Sequence, residues 1–193
     1  AAKALPRDGH PAFHLADFIV LALNTGCRSG ELLGLEWDRV DLRNNLIRLE
    51  GDHTKSGRGR SVPINGDARA ALLGRARHRA EHCPDSPWVF VNSNPRWKGR
   101  RISSVKSAFA AACKRANIED CTPHTLRHTC ASWMVMEGRS LMEVRDILGH
   151  STVKMIERCA HLAPERLREA VSVLEASRTF AVPSSTTRRL RYQ

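Results

Sequence analysis

Tyrosine is almost missing from this chain. One occurs in 193 residues, Tyr192 beside the C-terminal end, and aromatic residues together make up 5 %. The body of the chain therefore offers no phenolic hydroxyl. Long apolar runs are missing too. The longest stretch, Phe13 to Leu23, contains His14 and Asp17 and is too short for a bilayer-spanning helix. No basic-then-apolar segment opens the sequence, so a secretory leader is not expected. The six cysteines (Cys27, Cys83, Cys113, Cys121, Cys130, Cys159) form no C-x-x-C pair. That excludes a regular disulfide framework and suits reduced thiols in the cytoplasm. A zinc site would draw on His78, His82 and Cys83, but these lie on an arginine-rich helical stretch and do not complete a ligand set, so no metal is expected. Acid is scarce: 20 Asp and Glu stand against 31 Lys and Arg, for a net charge of +11 and a pI near 10.1. Such an excess points to a polyanion partner, most often nucleic acid, with solubility alone as the plainer reading. At 41 % hydrophobic residues the chain can bury a core, which excludes disorder throughout.

What is present reads as a mostly α chain with a small antiparallel sheet near its front, an α+β class. Residues 1–10 resemble the end of a linker, residues 11–176 a folded domain, and residues 177–193 a basic tail. Phe13–Asn24 is apolar at helical spacing, and Gly26 interrupts it. A short helix is expected over Gly30–Glu36. Val40–Leu42 and Leu46–Leu49 read as strands around an Arg43-Asn44-Asn45 turn, with a third strand over Ser61–Ile64. Asp67–His82 reads as a helix with Ala70, Leu72 and Leu73 inward. Trp88–Val91 reads as extended, and Ser103–Ala116 as helix. Thr122-Pro123 is a strong helix start, a capping hydroxyl followed by proline at the first position. The helix from His124 to Glu137 is expected to bury Leu126, Cys130, Trp133 and Met134. Helices over Leu141–Leu148, Thr152–Cys159 and Pro164–Ala176 complete the pattern.

The chemistry lies in scattered bases. His124 and Arg127, three apart on a helix, share a face, and a guanidinium fork matches two phosphate oxygens. Alone, that pair is an ordinary basic helix start. Arg28, however, follows Thr25-Gly26 at the junction of two apolar helices, an awkward place for an unpartnered charge, and Glu31 three residues on can orient it. Lys55 lies in a glycine-rich segment between two strands. His150 follows Leu148-Gly149 at a helix boundary, where backbone N–H groups also face outward. Two arginines, two histidines and a lysine of this kind meet the main demands of phosphoryl transfer, charge stabilisation and proton donation.

Four strings in this order resemble the tyrosine recombinases, the phage-type integrases: Thr-Gly-Cys-Arg-Ser-Gly-Glu-Leu at 25–32, His-Thr-Leu-Arg-His-Thr at 124–129, Leu-Gly-His-Ser-Thr at 148–152, and Ala-His-Leu-Ala-Pro-Glu at 160–165. The last is similar to proteobacterial prophage integrases. The resemblance implies the catalytic-domain fold of that family and a site-specific recombinase that cleaves and rejoins DNA. Arg28 and Arg127 would clamp the scissile phosphate, and Lys55 would protonate the leaving 5′-oxygen. His124 would serve as acid or base, His150 would hydrogen-bond a phosphate oxygen, and Glu31 would support the pocket. A tyrosine would attack, forming a 3′-phosphotyrosyl link, with no metal, ATP or other cofactor. The partners implied are double-stranded attachment-site DNA and further copies in a tetramer on that DNA, in the bacterial cytoplasm at the nucleoid. The resemblance also implies an isolated catalytic domain, lacking the DNA-binding domains that precede it in relatives.

The departure from the pattern is Cys159, which stands nine residues after His150 where the nucleophilic tyrosine belongs. Three readings are open. Cleavage is disabled while the phosphate pocket persists, which is the favoured one; or the Cys159 thiolate itself attacks; or Tyr192 reaches in from the tail. Thiolate nucleophilicity supports the second, but a cysteine is far shorter than a tyrosine and falls short of the near-attack distance. Outside the pocket, Arg58, Arg60, Arg96, Lys98, Arg100 and Arg101 are expected to contact the DNA backbone, giving salt-sensitive binding with little sequence reading. The rival from another class is a non-enzymatic helix–turn–helix module over residues 140–161. It leaves Arg28, Lys55 and His124 without a role.

Overall fold

The computed structural model describes residues 13–50 and 59–149, all within the first of the chain's two units, Ala1–Leu162. The expected helices over Thr152–Cys159 and Pro164–Ala176 lie outside the described residues.

Helix α1 (Phe13–Thr25) is the central element, packing against both α3 and α5. Leu15, Phe18, Leu21 and Ala22 recur at helical spacing and are essentially solvent-free. The helix ends where Gly26 takes a left-handed φ of 62° and returns its N–H to the Ala22 carbonyl at 3.0 Å. Helix α2 (Ser29–Leu33) is shorter than the sequence pattern suggests. It stops because the chain after Gly34 pairs instead with the Trp88 segment. The Leu35 carbonyl accepts from Val89 N–H, and Trp37 N–H donates to the Pro87 carbonyl, both at 2.9 Å. A single 3-10 turn, Trp37–Arg39, leads into the sheet.

The sheet is antiparallel in the order β1 (Val40–Asp41), β2 (Leu46–Leu49), β3 (Arg60–Pro63). Ile47 pairs with Val62 across β2 and β3, and both are fully buried on the core face. The β1–β2 turn is tied by the Asp41 carboxylate, which accepts from the Arg43 and Asn44 backbones, and Asn45 supplies the left-handed φ of 53°.

Helix α3 (Gly66–His82) is capped by Asn65, whose Oδ1 accepts from Ala68 N–H at 3.0 Å. Its inward stripe is Ala68, Ala71, Leu72 and Arg75, so the expectation for Ala70 and Leu73 is corrected: both face solvent. The physical cause is Arg75, fully buried against Asp17 of α1 at 3.6 Å and over the Phe90 ring at 5.8 Å. A charged residue on the core face rotates the stripe away from the one that apolar residues alone suggest. Helix α4 (Lys106–Arg115) begins three residues later than expected.

Helix α5 (Pro123–Met136) starts as the sequence indicates, with Thr122 and Thr125 in a reciprocal capping arrangement and Pro123 at the first position. Its buried residues are Leu126, Arg127, Cys130, Ala131 and Val135. Trp133 is 48 % exposed and Met134 only half-buried, correcting the expected inward set. Again an arginine is the reason, because Arg127 is drawn into the core. Helix α6 (Leu141–Leu148) is boxed at its start by Ser140 and Glu143 and closed by Gly149 at φ 68°. Among the described residues, no helix is long and apolar enough to cross a membrane.

Candidate phosphate-binding site

The site is built where the α1–α2 junction, the start of β3, helix α5 and the end of α6 meet. Its centre is Glu31, whose side chain is 2 % exposed. A carboxylate so deep requires partners on its acceptor sites, and four donors supply them. Arg60 Nη1 and Nη2 lie 3.1 and 2.7 Å from Oε1 and Oε2. Arg28 Nη1 lies 2.8 Å from Oε1, and Arg28 backbone N–H donates to Oε2 at 2.7 Å. Burial pushes the Glu31 carboxyl upward, but the Arg60 hydrogen bonds, the Arg28 backbone N–H and the Arg60 charge outweigh it. Its pKa is held below the ordinary carboxylate value.

The same arginines fix the end of α6. A helix C-terminus leaves carbonyls without intrahelical partners, and here guanidinium groups take two of them. Arg60 Nε donates to Ile147 O at 3.1 Å, and Arg127 Nη2 to Leu148 O at 2.6 Å. Arg127 Nη1 donates to Gly26 O at 2.5 Å, so one side chain, 2 % exposed as a residue, joins α5 to the ends of α1 and α6. Burial first, then repulsion from Arg28, lowers Arg127 to about 10, which leaves it cationic at neutral pH. Two glycines permit this closeness. A Cβ at Gly26 would run into Leu148 Cδ2, and one at Gly149 would sit 2.8 Å from Arg60 Cδ.

His124 is exposed on the first turn of α5, its ring centroid 4.7 Å from that of His128. Desolvation, then the charges of His128, Arg127 and Arg28, hold it below the ordinary imidazole value. Desolvation and the surrounding positive charge keep the ring neutral at neutral pH and make it a weaker base than an ordinary histidine. Two thiols line the interior of the junction. Burial raises Cys27, and burial followed by Cys27 raises Cys130 to about 11, so both remain protonated.

The structure therefore brings together Arg28, Glu31, Arg127 and His124 from four of the expected positions. Arg60 is corrected. It is not an outward-facing base: its side chain is 9 % exposed and turned onto Glu31. The signal was available in strand periodicity, because Arg60 shares a face with the buried Val62 and Ile64. Arg96, Lys98, Arg100 and Arg101 are all exposed, on the 91–101 segment. Lys55, Arg58, His150 and Cys159 lie outside the described residues. His78 and His82 touch edge to face, with centroids 4.6 Å apart. Among the described residues no group of three or more metal-ligating side chains assembles.

Solved structures with this architecture include an integrase catalytic domain and a recombinase. The catalytic domain of bacteriophage HP1 integrase superposes with a TM-score of 0.60 at 30 % identity, over 86 % of this chain and 84 % of that one. A XerA recombinase does so with a TM-score of 0.65 at 27 % identity, over 84 % and 57 %. The fold is thus that of tyrosine recombinase catalytic domains. In sequence, the chain is 30 % identical over 179 residues to the integrase of Salmonella phage P22, covering 88 % of this chain and 45 % of that protein. It is 34 % identical over 159 residues to a shufflon-specific DNA recombinase of Escherichia coli, covering 82 % and 36 %. The chain spans about half or less of these relatives' length. The phage integrase family model matches residues 5–166, and the chain belongs to that family.

Proposed function

We propose that this chain is the DNA-breaking and rejoining domain of a site-specific recombinase. The observation that carries the reading is the convergence of Arg28, Arg127 and His124 around the buried Glu31, at the junction of four elements. Guanidinium groups held in fixed positions provide a cradle for a phosphate whose charge grows in an in-line displacement. Arg28 is oriented by Glu31, which leaves the remaining N–H groups of its fork for phosphate oxygens. Arg127, anchored by the Gly26 and Leu148 carbonyls, adds a second positive charge. Neutral His124 accepts the proton of an attacking hydroxyl or returns it during rejoining. Lys55 protonates the leaving 5′-oxygen, and His150 bonds a non-bridging oxygen. The partner is duplex attachment-site DNA, acted on in the bacterial cytoplasm at the nucleoid, with copies assembling as a tetramer.

Cys159 occupies the position of the nucleophile. The function assigned to this particular chain is therefore phosphate recognition without covalent capture. A nicked suicide duplex incubated with the chain and run on a denaturing gel tests this. The expected result is retained duplex binding with no protein–DNA band. A band that disappears on Cys159→Ser would overturn it and show the thiolate at work.

A further inference from the structure

The 91–101 segment holds a feature that the pocket does not use. Asn92 N–H donates to Arg100 O at 2.8 Å and Gly99 N–H to Asn92 O at 3.0 Å, so the chain doubles back on itself. Below these bonds Val91 bridges Arg101, and Gly99 turns at φ 80°. The tip is a 3-10 turn, Pro95–Trp97, started by Asn94, whose Oδ1 accepts from Arg96 N–H at 3.0 Å. Ser86 Oγ donates to Gly99 O at 2.9 Å and pins the tip to the body. The tip carries Trp97, 46 % exposed. Arg96 and Arg100 place their guanidinium carbons over its ring, 5.4 and 5.5 Å from the centroid. Arg101 differs: it lies over the Trp88 ring at 5.7 Å.

An indole half open to water with two guanidiniums against it presents an apolar face beside two positive charges. No acid occurs between Pro95 and Lys106. A partner that fits this patch offers anionic groups to the two guanidiniums and an apolar surface to the indole. Successive phosphates of a nucleic-acid strand with the intervening deoxyribose have this alternation. We propose that Trp97, bracketed by Arg96 and Arg100, is a sequence-independent DNA-backbone contact in which the indole packs on a sugar and the guanidiniums take its flanking phosphates. The contact rests on the DNA reading above and extends it from charge alone to a shaped, partly apolar site outside the pocket. Cation–π contact holds the arginines in place beforehand, which reduces the ordering required on binding.

Fluorescence anisotropy of a labelled duplex of arbitrary sequence, titrated with the chain across a range of salt, tests the proposal. Trp97→Ala is expected to weaken binding about tenfold, near the low end for burying an aromatic side chain, while leaving the slope of log K against log salt unchanged. Trp97→Phe should recover most of the loss. Arg96→Gln with Arg100→Gln should reduce that slope by roughly two, one for each phosphate released. Unchanged affinity in a folded Trp97→Ala, or an unchanged slope in the double variant, would overturn the contact while leaving the DNA reading intact. Failure of the unaltered chain to bind duplex at any salt would overturn both.

Discussion

Replacing Glu31 by glutamine tests the electrostatic centre of the molecule. The carboxylate accepts four donor contacts between 2.7 and 3.1 Å, three from guanidinium nitrogens and one from the Arg28 backbone. Glutamine keeps the size but removes the charge, and it presents an NH₂ to two of those donors. Arg60, with a side chain 9 % exposed, then loses its anionic partner among the described residues. Breaking a buried pair by removing one partner costs about 3–5 kcal/mol. That is a large part of a typical domain's stability of about 5–15 kcal/mol. At about 2–4 °C per kcal/mol for a chain of this size, the thermal midpoint should fall by roughly 6–20 °C. The pH dependence gives a second reading. Because the folded pKa of Glu31 is lowered, its contribution is complete above the unfolded carboxyl value of about 4.3 and is lost as pH falls through the lower folded value. Glu31→Gln should therefore lose most at neutral pH and flatten the acid limb of the stability curve. Calorimetry between pH 3 and pH 7.5, bounding the carboxyl range by about one to three units, reads both effects. A midpoint shift under about 2 °C at neutral pH would refute the reasoning, since even 1 kcal/mol would exceed it.

His14 supplies a separate acid sensitivity. Burial, then the Arg75 charge, lowers it to about 4, so the unfolded chain binds its proton first and stability falls as pH drops from about 6.5 toward 4, by up to about 3 kcal/mol. His14→Asn should flatten the urea-midpoint profile there, and an unaltered profile would contradict the assignment. Gly26→Ala combines a left-handed φ with a collision against Leu148 and should cost about 2–4 kcal/mol in urea unfolding. Trp133→Ser should change stability by less than about 0.5 kcal/mol, because the side chain faces water; a shift of several degrees would return it to the core.

Sequence patterning located the elements well where apolar spacing was unmixed. Leu15, Phe18, Leu21 and Ala22 define α1 without ambiguity, and Thr122-Pro123 marks a helix start to the residue. It missed the faces of α3 and α5 for one shared reason. Arg75 and Arg127 are buried, and hydrophobic periodicity assigns every arginine to solvent. The compensating groups, Asp17 for one and the carbonyls of Gly26 and Leu148 for the other, are distant in sequence. The Arg28–Glu31 pair was legible because it is local, three residues apart on one helix start. Arg60 was not, because its partners lie 29 and 87 positions away and its loop setting suggested an outward base. Only the alternation of Arg60 with Val62 carried the information.

If Arg28 and Arg127 hold the scissile phosphate, cleavage fails in this chain only because Cys159 replaces the tyrosine. Cys159→Tyr, incubated with a nicked suicide duplex, measures this most directly. The restored hydroxyl should yield a covalent protein–DNA band on a denaturing gel, and Arg28→Gln in the same background should abolish it while duplex binding persists. Absence of the band from a folded, DNA-binding Cys159→Tyr chain would contradict the account.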